Sequence, residues 1–548
     1  MSLTWIAIVA VLFFTAGYGF YGRWVARKIG LNDSRPTPAC TVNDGVDFVP
    51  AKGPFLLGQH FSAIAAAGPI VGPILAGLAF GWLPALLWIV LGAIFIGAVH
   101  DFSSLFGSVR HKAQSVAQIV QEQLGRRAYV LFLGFVWISL VYVITAFADL
   151  TSSSFADPVS GGAVASSSVL YLALALAMGL ALTRFKMPLN RATWLFTPML
   201  LAVIWAGRLL PIQLPLIAGI RPALVWDGIV LAYCFAASVM PVWLLLQPRG
   251  YLGGVFLYVS LIAGLIGLAL GNLPVRYPAF LGFHSAGGLP LFPMLFVTVA
   301  CGACSGFHGL VSSGTTSKQV AKESDCRPVG YGGMLLEGMV ALIALSTVMM
   351  LAPADPATRL SPDRIYAQGL ASFVQRFGLN AQFAMSFVLL AFATFIFDTL
   401  DVATRLGRLI LQELFGWEGW WGRNMATLLT LALPAWFVTA TITDPSGKPV
   451  PAWKAFWVVF GTSNQLLAAL TLLGLSAWLR ASGRAWIFAA VPCLFMMGVT
   501  IWALAILMKG PLALPSILLM GLAFSLLWEG WKVLRRPAIL PASPLSAR

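Results

Sequence analysis

Apolar residues fall into runs long enough to cross a bilayer, separated by short polar stretches. These runs lie near 3–22, 57–80, 82–109, 128–150, 164–183, 192–210, 222–246, 251–272, 290–313, 330–352, 382–403, 424–442, 454–479, 486–508 and 512–531, fifteen in all. A hydrocarbon core takes roughly 20 helical residues to span. Lipid offers the backbone no water, so each run must close its own hydrogen bonds as a helix. A β-barrel would show roughly 10-residue segments of alternating polarity, and the chain has none. The pattern predicts an all-α polytopic membrane protein with about 15 transmembrane helices.

Composition sharpens this reading. Of 548 residues, 59% are hydrophobic and 10% charged, against ~25% charged in an average soluble domain. A soluble enzyme, a disordered protein and a nucleic-acid reader are excluded. The net charge of +15 is a topology signal, because Lys and Arg lie mainly between the runs. With the N-terminus outside, alternate loops plus the tail hold 25 of the 34 Lys and Arg. Arg249 enters that count as a cytoplasmic loop charge. The C-terminus is then cytoplasmic, as expected for a multi-pass inner-membrane protein. Thr4 to Phe20 is apolar and the first positive charge is Arg23, the order of an uncleaved first span rather than a signal peptide. Six cysteines give no disulfide framework. The expected organisation is a single integral domain: a peripheral helix and loop at 1–56, a core at 57–479, peripheral helices at 480–536, and a disordered tail at 537–548.

Two runs carry helix breakers in their middles. The first contains Gly68-Pro69 and Gly72-Pro73; the second contains Cys301-Gly302-Ala303-Cys304-Ser305-Gly306-Phe307-His308-Gly309. Proline removes a donor and crowds the preceding turn, and glycine permits unusual backbone angles, so both GP pairs are expected to interrupt the first run. Unwound backbone at bilayer depth is tolerated where it lines a cavity or is buried in protein. Its freed N–H and C=O groups make sites for anionic substrates and cations; the alternative is close helix packing through small residues. The two runs start seven spans apart, so they cross in opposite directions, as an inverted repeat requires. Gly68, Pro69, Gly72, Gly302, Ser305, Gly306 and His308 are the candidate substrate-binding residues.

Ionisable residues inside a span point to function. His60, Glu337 and Asp401 are the candidates for ion coupling. Glu337 has no basic residue nearby in sequence, so it reads as unpaired. Asp401 and Arg405 have the spacing of an i,i+4 ion pair. His100 and Asp101 are adjacent and point ~100° apart on a helix, with Arg110 a candidate partner for Asp101. Asn464 and Gln465 read as hydrogen bonds between helices, with contact to substrate as the alternative. The Cys301-x-x-Cys304 pair and His308 form a partial metal or redox pattern, without a second pair at zinc spacing.

Several stretches carry a family resemblance: GQHFSAIAAAGPIVGPILA (58–76), GAVHDFSSLF (97–106), MPVWLLLQPR (240–249), CGACSGFHGLVSSGTTSK (301–318), LDVATRLGRLILQEL (400–414) and FGTSNQLLAAL (460–470). With NDGVDFVP (43–50) and GYGGMLLEGMVALIAL (330–345), they resemble the carbon starvation protein A family of bacterial inner-membrane transporters. Gln59 stands where that pattern often has a second His, and His100 where Gln is common. The resemblance implies a LeuT-like core of five plus five inverted-repeat helices with extra peripheral helices. Counted from 57–80 in that core, 382–403 is the eighth helix, which commonly supplies hydroxyls to a sodium site, so Thr399 and Thr404 join Asp401 among the ion-coupling candidates. It also implies uptake of short peptides or, in some relatives, proton-coupled uptake of pyruvate.

The expected function is therefore secondary active import of a small nutrient, a short peptide or a small carboxylate such as pyruvate. A transported proton or sodium ion is the coupling cation. No enzyme activity, resident cofactor, metal or nucleic-acid partner is expected, membrane lipid is the surrounding partner, and nothing in the pattern fixes an oligomeric state. The rival readings are a membrane-embedded metal or redox protein built on Cys301, Cys304 and His308, and a channel or nutrient sensor.

Overall fold

The computed structural model describes residues 2–534 except 45–47, 66, 216–218, 242, 376, 377, 379, 441, 444–448, 510 and 511, and except the side chains of 443, 533 and 534. The tail expected at 537–548 lies outside the described residues. The helices are α1 (Leu3–Ile29), α2 (Gly53–Ile64), α3 (Gly68–Phe80), α4 (Trp82–Arg110), α5 (Arg126–Phe155), α6 (Gly161–Thr183), α7 (Leu189–Leu209), α8 (Pro222–Val239) and α9 (Leu246–Leu270). They continue as α10 (Leu291–Thr298), α11 (Ala300–Ala303), α12 (Gly306–Gly314), α13 (Glu323–Met349), α14 (Pro362–Gln375), α15 (Ala381–Phe415), α16 (Gly419–Thr439), α17 (Ala452–Ala481), α18 (Ile487–Leu507) and α19 (Ala513–Lys532).

Among the described residues twelve helices are long and apolar enough to cross a membrane, or thirteen if the bent pair α2–α3 is one span. Of the other expected runs, 290–313 is divided into α10, α11 and α12, and 424–442 falls in α16. The chain is thus a predominantly helical, multi-pass integral membrane protein, with a short antiparallel pairing of Ile442–Thr443 and Pro449–Val450. The expected outer loop 353–381 holds a further helix, α14, which packs on α15, α9 and α3.

The first break lies just before the first Gly-Pro pair and is narrower than the sequence suggests. α2 ends at Ile64, α3 restarts at Gly68, and the two axes meet at 52°. Pro69 stands in the first turn of α3, where its missing N–H costs nothing. The second pair does not interrupt the helix: Pro73 lies inside α3, its neighbours held by packing on both sides. The second broken span is kinked near its start at the non-helical Phe292 and departs from helix again at Val299 and at Cys304 and Ser305, the last two extended.

The broken spans pack on each other. A side chain at Gly68 would collide with Cys301, and Gly302 lies against Pro69, Pro73 and Ala341. Around them α2 packs on α9, α12 on α17 and α4, α3 on α13, and α5 on α8, α15 and α17. α15 in turn packs on α16 and α9, and α16 on α5 and α8. α6 and α7 form a hairpin, and α18 and α19 lie against α17.

Candidate functional site

Helices α4 and α13 each contain a π turn, at Ala93–Gly97 and Arg327–Gly332. A π turn inserts one residue and turns the following side chains by about 100° relative to the α register. In α4 it precedes Asp101, and in α13 it precedes Glu337. The two turns are tied together, since Tyr331 Oη donates to the Ile94 carbonyl at 2.9 Å. Both acids are thereby aimed at α12, which supplies His308.

The result is a buried chain of ionisable groups. His100 Nδ1 lies 2.7 Å from Asp101 Oδ1, and His308 Nδ1 lies 2.7 Å from Asp101 Oδ2. His308 Nε2 is 2.9 Å from Glu337 Oε2, at an angle short of an aligned hydrogen bond. His60 of α2 is within electrostatic range of Asp101 and His308, and its Nδ1 contacts Thr316 Oγ1 at 2.9 Å. None of the five residues is more than 1% exposed. Asp101 takes no partner from Arg110, which instead pairs with Glu323 at 2.7 Å. Glu337 is not unpaired, because a residue 29 positions earlier in sequence faces it. His100 and Asp101, expected to diverge, meet through their side chains.

The chemistry of the chain follows from proton counting. An ionised Asp101 accepts from Nδ1–H of both imidazoles, which fixes the His308 tautomer. The remaining His308 nitrogen then faces a carboxylate. At 2.9 Å the contact is attractive when one proton is on the pair, either as imidazolium with carboxylate or as imidazole with carboxylic acid. Removing that proton sets a lone pair against a negative charge across the α12–α13 contact.

The polar groups released at the second break are taken by α17. Asn464 Oδ1 accepts from Phe307 N–H at 2.9 Å, capping α12 in place of a local side chain. Asn464 Nδ2 reaches Ser305 Oγ at 3.0 Å and Cys301 Sγ at 3.3 Å. Gln465 Nε2 donates to the Phe296 carbonyl at 2.5 Å, and Trp457 Nε1 to the Thr298 carbonyl at 3.3 Å. Gly306 admits α17 so closely that a Cβ there would lie 2.5 Å from Ala468 N. The space beside this break, between Phe307, Leu310, Asn464 and Leu467 and the facing side of α5, is about 10 Å3, room for about one water. The candidate substrate residues are thus brought together, around a closed centre that would have to separate before a peptide or a keto acid could enter.

The other ion-coupling candidates stand elsewhere. Thr399 and Thr404 donate to carbonyls of their own helix, Phe395 O at 3.1 Å and Leu400 O at 2.7 Å. Asp401 meets Arg249, 2.5 Å from its Nη1, and Tyr233 Oη, 2.9 Å away. Asp398 takes the other edge of the guanidinium at 2.6 Å. Arg249 is therefore no loop charge: it is fully buried near the start of α9. Arg405 does not pair with Asp401; it donates to the carbonyls of Ala237 and Met240 at 3.0 and 2.8 Å.

All six cysteines are free. Both His308 nitrogens face carboxylates, and Cys301 Sγ faces Asn464, so the cysteine–histidine pattern does not converge on one point. Among the described residues no group of three or more His, Cys, Asp or Glu is arranged to hold a metal ion.

Residues 2–358 and 355–503 match the family described as carbon starvation protein CstA. A Helicobacter pylori protein named peptide transporter CstA is 33% identical over 574 residues, covering 92% of this chain and 82% of that protein. The Escherichia coli pyruvate/proton symporter BtsT is 30% identical over 596 residues, again covering 92% and 82%. Among solved structures, a mutant of the Eremococcus coleocola manganese transporter aligns with a TM-score of 0.49 and 14% identity, over 87% of this chain and 93% of that one. The family match over most of the length, with relatives above 30% identity, establishes that the chain belongs to the carbon starvation protein CstA family.

Proposed function

We propose that the chain is a proton-coupled importer of a small carboxylate-bearing nutrient, a short peptide or pyruvate, across a bacterial inner membrane. The observation that carries this reading is His308. It sits on α12, whose first turn adjoins the candidate substrate residues Ser305 and Gly306, and it contacts Asp101 of α4 and Glu337 of α13 at 2.7 and 2.9 Å. A proton shared between His308 and Glu337 holds α12 against α13. Its loss repels them, so protonation and the opening of the substrate site become one equilibrium. His60, on the other broken span, is the route by which a proton reaches the pair. The names of two relatives, one a peptide transporter and one a pyruvate/proton symporter, support the substrate class, and the second also supports the coupling ion.

The alternating-access frame is a five-plus-five inverted repeat, and matching contacts support it. α2–α3 corresponds to α10–α12, α4 to α13, α5 to α15, α8 to α16 and α9 to α17, with the α6–α7 hairpin inserted. Each contact of one half then has a counterpart: α2 on α9 with α12 on α17, α5 on α17 with α15 on α9, and α8 on α15 with α16 on α5. Two of the three π turns among the described residues fall in the corresponding helices α4 and α13, and the third lies in α1. An even number of inserted spans preserves the opposed directions of the two halves, with the N-terminus outside and the C-terminus inside.

The test is uptake of labelled dipeptide and labelled pyruvate into proteoliposomes with an imposed proton or sodium gradient. Accumulation driven by the proton gradient and collapsed by an uncoupler is expected. Accumulation that follows sodium alone, or neither ion, overturns the coupling.

A further inference from the structure

Away from the broken spans, a groove of about 850 Å3 opens between α1, α4 and α18. Its walls include Tyr21, Trp24, Phe95, Ile487, Val491 and Phe495, and two cations, Lys28 and Arg484, stand among its lining residues. The aromatic side chains form a connected wall. Tyr21 stacks on Trp24 at 5.5 Å and meets Phe95 edge-on at 4.9 Å, and Trp24 meets Phe488 at 6.4 Å. Such rings gather at the headgroup level of a bilayer.

The polar end has an uncompensated sign. Arg484 donates to the Ile29 carbonyl, the last of α1. Arg480 lies over Trp486, 5.5 Å from its centroid. Lys28 is exposed and has no ion pair among the described residues. The last turns of α1 add Arg23 and Arg27, also exposed. No carboxylate lines the groove, and Glu323, an acid within electrostatic range of Arg484, is held by Arg110. An ammonium headgroup would find no partner here, whereas a phosphate without a balancing cation would.

The dimensions fit a lipid. From Ile487 to Phe495 the groove follows α18 for eight residues, about 12 Å at 1.5 Å per residue, and it follows α1 from Lys28 back to Tyr21 for a similar distance. A path that begins at basic residues and runs about 12 Å along apolar and aromatic walls takes a headgroup and the upper part of an acyl chain. We infer that this groove is a binding site for an anionic phospholipid, with its phosphate at Lys28 and Arg484 and its chain along Val491, Phe95 and Phe495. Basic pockets between membrane helices on the cytoplasmic side recognise such headgroups. The site is independent of the transport centre and of the coupling ion.

The experiment uses the full chain purified in mild detergent and native mass spectrometry with added phosphatidylglycerol or phosphatidylcholine of the same acyl chains. The wild-type chain is expected to prefer phosphatidylglycerol by about five- to thirtyfold, the range given by one or two phosphate-facing basic residues. Lys28→Glu touches no described partner, so it tests the headgroup site without disturbing the fold, and it should bring the two lipids to parity. Val491→Trp fills the groove and should reduce retention of both. Arg191→Glu, at an exposed position on α7, is the control and should leave the preference unchanged. Equal retention of the two lipids by the wild-type chain, an unchanged preference in Lys28→Glu, or the same loss in Arg191→Glu would each overturn the site.

Discussion

His308 and Asp101 are separated by 207 residues in sequence and joined by a contact of 2.7 Å at the centre of the molecule. Both are buried, and Asp101 also takes His100 at the same distance. Asp101 is thus the fixed acceptor that sets which nitrogen of His308 faces Glu337.

Replacing that acceptor tests its role. Asp101→Ala leaves His308 and His100 without their shared acceptor, and removing one partner of a buried pair costs about 3–5 kcal/mol. Thermal unfolding in detergent should show the loss. In the double variant Asp101→Asn with His308→Gln, which replaces the charges by amides able to bond to each other, the loss should be smaller than the sum of the two single changes. Strict additivity would mean that the contact carries no energy.

Glu337→Gln separates coupling from binding. The amide keeps the size of the carboxylate but cannot release a proton. Accumulation driven by a proton gradient should fall by about a hundredfold, the scale on which a positioned proton-transfer group acts. Exchange of internal for external substrate, which needs no net proton movement, should persist. Undiminished accumulation would remove Glu337 from the coupling step.

The sequence exposes single positions better than partnerships. Gly68-Pro69 announces the first break because proline and glycine act locally. His308 and Glu337 stand out because ionisable groups are rare in apolar runs. Arg249 escapes, since a charge at the edge of an apolar run looks like a loop charge whether it faces water or Asp398 and Asp401. Asp401 has Arg405 at helical spacing, yet Arg249, 152 positions away, claims it. The pattern also shows Gly306 as a breaker without showing that Asn464 would cap the helix it begins. Partner choice is decided by packing between distant segments, and no local spacing encodes it.

Arg249 gives a second energetic test. Its guanidinium lies between Asp398 and Asp401 at 2.6 and 2.5 Å. Arg249→Met strands both carboxylates in protein and should cost about 3–5 kcal/mol. Adding Asp398→Asn and Asp401→Asn to that background should recover part of the loss, because the uncompensated charges are gone. A triple variant less stable than Arg249→Met alone would mean that the carboxylates have other partners that matter more.

Asp363 supplies the pH dependence. It lies in α14, outside the spans, where one oxygen accepts from Ser154 Oγ at 2.9 Å and burial raises its pKa above the usual carboxylate range. An acid whose folded pKa is raised favours the folded state fully below its unfolded pKa, and that contribution is lost as pH rises through the folded value. Asp363→Asn should therefore raise the melting temperature near neutral and alkaline pH, with each kcal/mol gained showing as roughly 1 °C in a chain of this length. The gain should vanish at acid pH, where Asp363 is protonated in both states. A constant difference across the pH range would assign the effect to the hydrogen bond with Ser154 instead of to charge.

Asn464 tests whether α17 holds the second break in place. Its side chain accepts from Phe307 N–H at 2.9 Å and reaches Ser305 Oγ and Cys301 Sγ at 3.0 and 3.3 Å. Asn464→Leu keeps the volume and removes all three contacts, leaving a buried N–H without an acceptor at a cost of about 1–3 kcal/mol. Because that cost falls on the first turn of α12, hydrogen exchange at Phe307 should accelerate far more than exchange in the middle of α17. Transport should change with it, since the same turn carries Ser305 and Gly306 to the centre and His308 to its proton. Unchanged protection at Phe307 would mean that α12 is held by its packing on α4 and α17, and that the cap is incidental.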